Sequence, residues 1–149
     1  MDNIKFNHIT PIQLRFNDFD TLGHVNNSVY FSFYDLGKIS YFNEVLPDVS
    51  VNKEVGVVIA NIQVNFLLPV YPEEDVAVET AVVEIGNKSF KLLQQLIDVN
   101  TKEVKCICRT VMVCYDAKTK TSRSVSDDWR KAMADFEGNP ELCKVHKEN

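Results

Sequence analysis

Asp18, Asp20, His24, Asn26 and Asn27 fall between residues 18 and 27, just ahead of a long apolar segment in a chain of 149 residues. From about Ser28 to Val45 the side chains Val29, Phe31, Phe33, Tyr34, Leu36, Ile39 and Phe42 cover nearly the whole circumference of a helix, and such a helix has to be wrapped by other structure. Asn26 and Asn27 are suited to capping its first turn, so free backbone N–H groups and the positive end of the helix dipole should face whatever lies there. Asp18 and Asp20 stand a few residues upstream, and Gly23 lets the intervening loop turn sharply. A carbonyl held in that position would meet both an attacking carboxylate and an oxyanion-stabilising dipole, an arrangement suited to acyl transfer.

The flanking elements read as a sheet that could position this segment. Thr10 to Asn17 alternates, with Ile12, Leu14 and Phe16 on one side, which fits a first strand feeding the Asp loop. The helix should stop near Leu46-Pro47, followed by a polar connection from Asp48 to Glu54. Val55 to Val70 has the content of a long strand, with Val58, Ala60, Ile62, Val64 and Phe66 on one face and Asn61, Gln63 and Asn65 on the other. Asp75 to Ile85 and Lys88 to Val99 are two further strands, joined by Gly86-Asn87, which can take the positive φ of a tight hairpin. Glu103 to Tyr115 follows, then a short extension near Ser122 to Val125. Ser126, Asp127 and Asp128 begin a last helix that runs to about Phe136 and stops near Gly138 and Pro140. The order of strand, buried helix and sequential antiparallel strands is an α+β layout: a curled sheet of about five strands around one helix, with a short C-terminal helix.

Over Arg15 to Lys38, the succession of Arg15, Asp18-Phe19-Asp20, Gly23-His24-Val25-Asn26-Asn27 and an aromatic helix resembles the signature of hotdog-fold acyl-CoA thioesterases of the 4-hydroxybenzoyl-CoA thioesterase type. The resemblance implies a single hotdog domain over residues 1–149, and the tail from about 138 is expected to be disordered. It also implies hydrolysis of an acyl-CoA thioester without metal or redox cofactor, coenzyme A entering only as part of the substrate. Asp20 then corresponds to the carboxylate that attacks the thioester or activates water, and the backbone amide of Asn27 to the carbonyl-polarising donor. Gly23, His24, Asn26 and Tyr30 are expected to line the substrate site, with Tyr34 as a second candidate for the acyl wall.

Other readings stay open. Asp20 could simply cap the Gly23 turn, and Asp18 could pair with Arg15 to order the loop. Asp35 lies eight residues beyond Asn27 on an otherwise apolar stretch, so it should be buried or face a pocket; a second branch of hotdog thioesterases takes its carboxylate from about there. Its alternative is an ion pair with Lys38. The hydratase pattern D-x4-H is not matched, since three residues separate Asp20 from His24 and five separate Asp18 from it. An acyl-carrier-protein thioesterase and a non-catalytic acyl-binding hotdog module are the competing functions.

A net charge of -5 with mixed signs gives no footprint for nucleic acid or an anionic membrane, and a coenzyme A phosphate would need a local clamp, with Lys88, Lys91, Lys102, Lys105 and Arg109 as candidates. Cys106, Cys108 and Cys114 fall on even positions of one strand and, with Cys143, form no CxxC pair, which argues for packing over metal ligation. The start of the chain shows no secretory signal and no apolar run spans a bilayer, so a cytoplasmic location is expected. A curled sheet leaves edges bare, so the chain is expected to form a homodimer or homotetramer.

Overall fold

The computed structural model describes residues 4–46 and 55–144, so the proposed connection from Asp48 to Glu54 and the stop at Pro47 lie outside the described residues. Five antiparallel strands, β1 (His8–Ile12), β2 (Val55–Phe66), β3 (Val76–Ile85), β4 (Ser89–Asp98) and β5 (Val104–Asp116), form one sheet in the order β1-β3-β4-β5-β2. A two-residue strand, β6 (Thr121–Ser122), pairs with the end of β5. One long helix, α1 (Tyr30–Val45), lies against the concave face, and a shorter one, α2 (Asp127–Glu137), closes the far end.

Alternation decides which side chains meet the helix. On β5 Cys106, Cys108, Met112 and Cys114 are buried on the inner face, as small or adaptable apolar side chains should be. The sheet and α1 approach most closely at Gly37, where an added Cβ would stand 2.7 Å from Val78 Cγ1 and 2.9 Å from Gln94 Nε2. A glycine there lets the helix backbone rest directly on β3 and β4.

Several local expectations fail for identifiable reasons. The first strand ends at Ile12, and Phe16–Asp18 form a 3-10 turn that carries Phe16 out to 94% exposure. Asp18 causes the break: its carboxylate accepts from Arg15 N at 2.8 Å and from Arg15 Nη2 at 3.2 Å, folding the chain back on itself. In β2 the register against β5 shifts between Ile59 and Asn61, so Val58 faces Val113 on the outer side while Ile62 and Val64 stay inside. That bulge interrupts the clean two-faced pattern read from the sequence. The Gly86-Asn87 turn closes without positive φ; it is held by Gly86 N donating to Ser89 O at 2.7 Å and Val125 N donating to Asn87 O at 2.8 Å.

The helix is enclosed on one side only. Tyr30, Tyr34 and Tyr41 are buried against the sheet, whereas Phe31, Leu36 and Ile39 remain exposed on the opposite face of the single chain. At the other end, Ser126 Oγ accepts from Trp129 N at 3.1 Å to start α2, and Gly138 ends it in the left-handed conformation with φ 65. The chain beyond 138 is folded at least to Cys143: Pro140–Cys143 form a 3-10 turn that buries Leu142 in the core.

Candidate active site

The loop between β1 and α1 is fixed at several points. Asp20 N donates to His24 O at 3.0 Å and Gly23 N to Asp20 O at 3.0 Å, closing a tight turn in which Gly23 takes φ +81. Asn26 N donates to Asp18 O at 2.8 Å and Val25 N to Val70 O at 3.0 Å, tying the far arm to the loop's own root and to the segment after β2. Asp18 lies 1% exposed beneath this turn, in the structural role that its pairing with Arg15 suggested.

Asp20 therefore emerges from an ordered loop. One of its oxygens, Oδ1, accepts from Leu22 N at 2.9 Å, and no donor among the described residues reaches the other. The carboxylate both stabilises its turn and lines a cleft of about 380 Å³, shared with His24, Asn26, Asn27, Tyr30 and Phe66. Leu67 and Leu68 complete its apolar wall.

Asn26 caps the helical start: its Oδ1 accepts from Ser28 N at 3.1 Å, and Val29 N donates to Asn26 O at 2.9 Å. Asn27 begins the 3-10 turn (Asn27–Val29) that leads into α1, and its backbone N–H has no acceptor among the described residues. An unpaired N–H at the head of a helix, where the dipole is positive, is suited to a negatively charged or polarised oxygen. The loop thus places Asp20 and Asn27 in the lining of one cleft.

Tyr30 closes the cleft floor, its ring edge-on to Phe66 at 5.1 Å, and burial, with Cys106 and Glu74 nearby, pushes its hydroxyl up to about 12. It stays a neutral phenol over the ordinary pH range. His24 packs edge-on against Tyr71 with ring centroids 5.1 Å apart. Tyr34 lies deeper, fully buried between α1 and β5 and outside the cleft lining.

Asp35 departs from its expectation. It is neither buried nor among the cleft residues; its side chain is 61% exposed, with Oδ1 3.9 Å from Lys38 Nζ. Eight residues of helix turn it about 80° away from Asn27, onto the face that leaves the sheet. The ion pair with Lys38 is the alternative that the spacing allowed, but the burial of Lys38 beside an exposed partner was not legible in the sequence. The wide apolar stretch concealed which face turns inward.

The basic residues also sort themselves. Lys105 is buried and bound to Glu74 Oε2 at 2.7 Å, so it is a structural ion pair and not a solvated charge. Lys91 is 3.5 Å from Glu84 and, with Arg109, lines a depression on the outer face of the sheet. Among the described residues no group of three or more His, Cys, Asp or Glu side chains converges as a metal site would require. No helix among them is long and apolar enough to cross a membrane.

A curled antiparallel sheet around one helix, with a carboxylate loop at that helix's head, defines a hotdog fold. Residues 14–135 match the family model of the thioesterase-like superfamily, and the chain belongs to that family. Among solved structures, a thioesterase from Thermus thermophilus, complexed with coenzyme A and Zn, superposes with TM-score 0.79 at 26% identity, covering 94% of this chain and 99% of that one. A DHNA-CoA thioesterase from Staphylococcus aureus shares the fold at TM-score 0.78 and 16% identity, over 93% of this chain and 96% of its own. The uncharacterized protein YsmA of Bacillus subtilis (strain 168) is 31% identical over 122 residues, 82% of this chain and 80% of that protein.

Proposed function

We propose that the chain hydrolyses an acyl-CoA thioester to a free acid and coenzyme A. The observation that supports this reading is that Asp20 and Asn27, whose N–H has no acceptor among the described residues, line one cleft. The thioester carbonyl oxygen accepts from Asn27 N–H, and negative charge that develops on it is stabilised by the helix head. Asp20 supplies the other half in one of two ways. As nucleophile, it bonds to the carbonyl carbon, the C–S bond breaks, and water then hydrolyses the mixed anhydride and restores the carboxylate. As general base, it takes a proton from an attacking water and returns it to the departing thiolate.

His24 and Asn26 line the cleft, Gly23 turns the loop that carries them without lining it, and Tyr30 and Phe66 form the wall for the acyl group. The coenzyme A complex of the Thermus relative supports coenzyme A as the thiol carrier. The bare edge of β2 and the exposed apolar side chains Ile59, Phe66 and Leu67 favour a homo-oligomer in which this edge is covered by a second copy.

The test is thiol release from a panel of acyl-CoAs by the natural protein, Asp20→Asn and Asp35→Asn. Loss with Asp20→Asn alone is expected. Loss only with Asp35→Asn moves the carboxylate onto the helix, and no release from any acyl-CoA or acyl-carrier-protein thioester leaves a binding module.

A further inference from the structure

Residues 67–74 leave β2 as irregular chain, with neither helix nor strand to hold them, yet they build one side of the cleft. Leu67, Leu68 and Pro69 line it, Val70 O accepts from Val25 N at 3.0 Å, and the Tyr71 ring stands edge-on to His24. The same segment therefore supplies the apolar wall and touches the carboxylate loop. Whatever fixes it sets how far the wall stands from Asp20.

One buried ion pair fastens both ends of this segment. Lys105, near the start of β5, is 3% exposed, and its Nζ lies 2.7 Å from Glu74 Oε2. At the near end Lys105 O accepts from Leu67 N at 2.9 Å and from Leu68 N at 3.0 Å. At the far end Glu74 Oε1 accepts from Tyr71 N at 2.8 Å, and Glu74 N donates to Tyr71 O at 3.1 Å. Burial works against the Lys105 proton, and Glu74, with Glu103 and Asp98, outweighs it, so the ammonium keeps its charge. A buried ion pair can often be replaced by apolar side chains of similar volume without loss of stability. Apolar contact is non-directional, however, whereas an ammonium donating to a carboxylate holds one geometry.

We propose that Lys105 and Glu74 are positioning residues: their ion pair holds the acyl wall in place and so sets how tightly the acyl chain is bound, without touching the substrate. This rests on the thioesterase reading for what the cleft holds. The reacting groups have anchors of their own, in Arg15 N donating to Asp18 Oδ2 and Asp20 N donating to His24 O. Loosening residues 67–74 therefore reaches the wall before it reaches Asp20. Contacts between the wall and an acyl chain are alike in the ground state and the transition state, so their loss appears in KM more than in kcat.

Thiol release from octanoyl-CoA and butyryl-CoA by the natural protein, Lys105→Met, Glu74→Gln and the double variant tests this. Each single variant should raise KM for octanoyl-CoA by roughly 10-fold while kcat stays within about 3-fold, with a smaller rise for the shorter butyryl chain. The double variant should be no worse than Lys105→Met, because the two side chains act as a unit. A lower kcat at unchanged KM is what a smaller folded fraction gives, and it overturns the proposal. So does an equal KM rise for both chain lengths, or additive effects in the double variant. If Lys105→Met melts below the assay temperature, Glu74→Gln, which keeps an acceptor for Tyr71 N, decides the question by the same criteria. If octanoyl-CoA is not cleaved, calorimetry separates the two readings. Binding to the natural protein that weakens roughly 10-fold in the single variants keeps the positioning role and removes the hydrolase. Equal binding by all four proteins, or none, overturns the positioning role.

Discussion

Asp18 and Asp20, two residues apart, face opposite ways: Asp18 is 1% exposed beneath the loop, and Asp20 stands exposed over the cleft on the turn that Asp18 anchors. Substitution should separate the two roles. Asp20→Asn keeps an acceptor for Leu22 N, so its melting temperature should match the natural protein's while thiol release falls by roughly 100- to 10,000-fold. Asp18→Ala strands the Arg15 amide and should cost about 1–3 kcal/mol in denaturant unfolding. A large loss of stability in Asp20→Asn would make its turn-capping role the dominant one.

Gly37 is a sharper test of packing. Helix propensity alone favours alanine by up to about 1 kcal/mol. The added methyl, however, would stand 2.7 Å from Val78 Cγ1 and 2.9 Å from Gln94 Nε2, both on fully buried strand residues that cannot yield cheaply. Sterics should win, and Gly37→Ala is expected to destabilise by about 1–3 kcal/mol in urea unfolding. A neutral or stabilised variant would mean that α1 can lift from the sheet freely.

His8 ties β1 to the last turns of α1, with Nε2 3.2 Å from Ser40 Oγ and 3.4 Å from Glu44 Oε1. Burial lowers its affinity for a proton below the ordinary value of 6.5, outweighing the pull of Glu44 and Ser40. The unfolded chain therefore binds the proton better, so the stability from His8 is present above pH 6.5 and is lost as pH falls below it. Melting temperatures taken downward from pH 7.5 should drop more steeply for the natural protein than for His8→Gln. Parallel curves would show that His8 does not contribute to the slope.

On the bare edge of β2, Ile59 is 46% exposed in the single chain. Ile59→Lys places a charge in the row that a second copy would cover, so sedimentation should show a smaller assembly than for the natural protein. An unchanged mass would locate the contact elsewhere, for example on the exposed face of α1 that carries Leu36 and Ile39.

The sequence by itself determined the elements and their order. The long apolar run from Tyr30 to Val45, β-branched strands, Ser126 before α2 and Asn26 before α1 are local signals, and local backbone and capping preferences decide them. The loop that brings Asp20 toward Asn27 was legible for the same reason, because Gly23 supplies the turn inside a short span.

Which way side chains point was decided by contacts distant in sequence. The bulge in β2 depends on its register with β5, and the burial of Lys38 beside an exposed Asp35 depends on which helix face meets Cys108. Gly37 acquires its meaning from Val78 and Gln94, tens of residues later in the chain. A helix apolar on nearly every side carries almost no internal signal of its inward face, so the sheet assigns that face, and with it the difference between Asp35 in solvent and Lys38 in the interior.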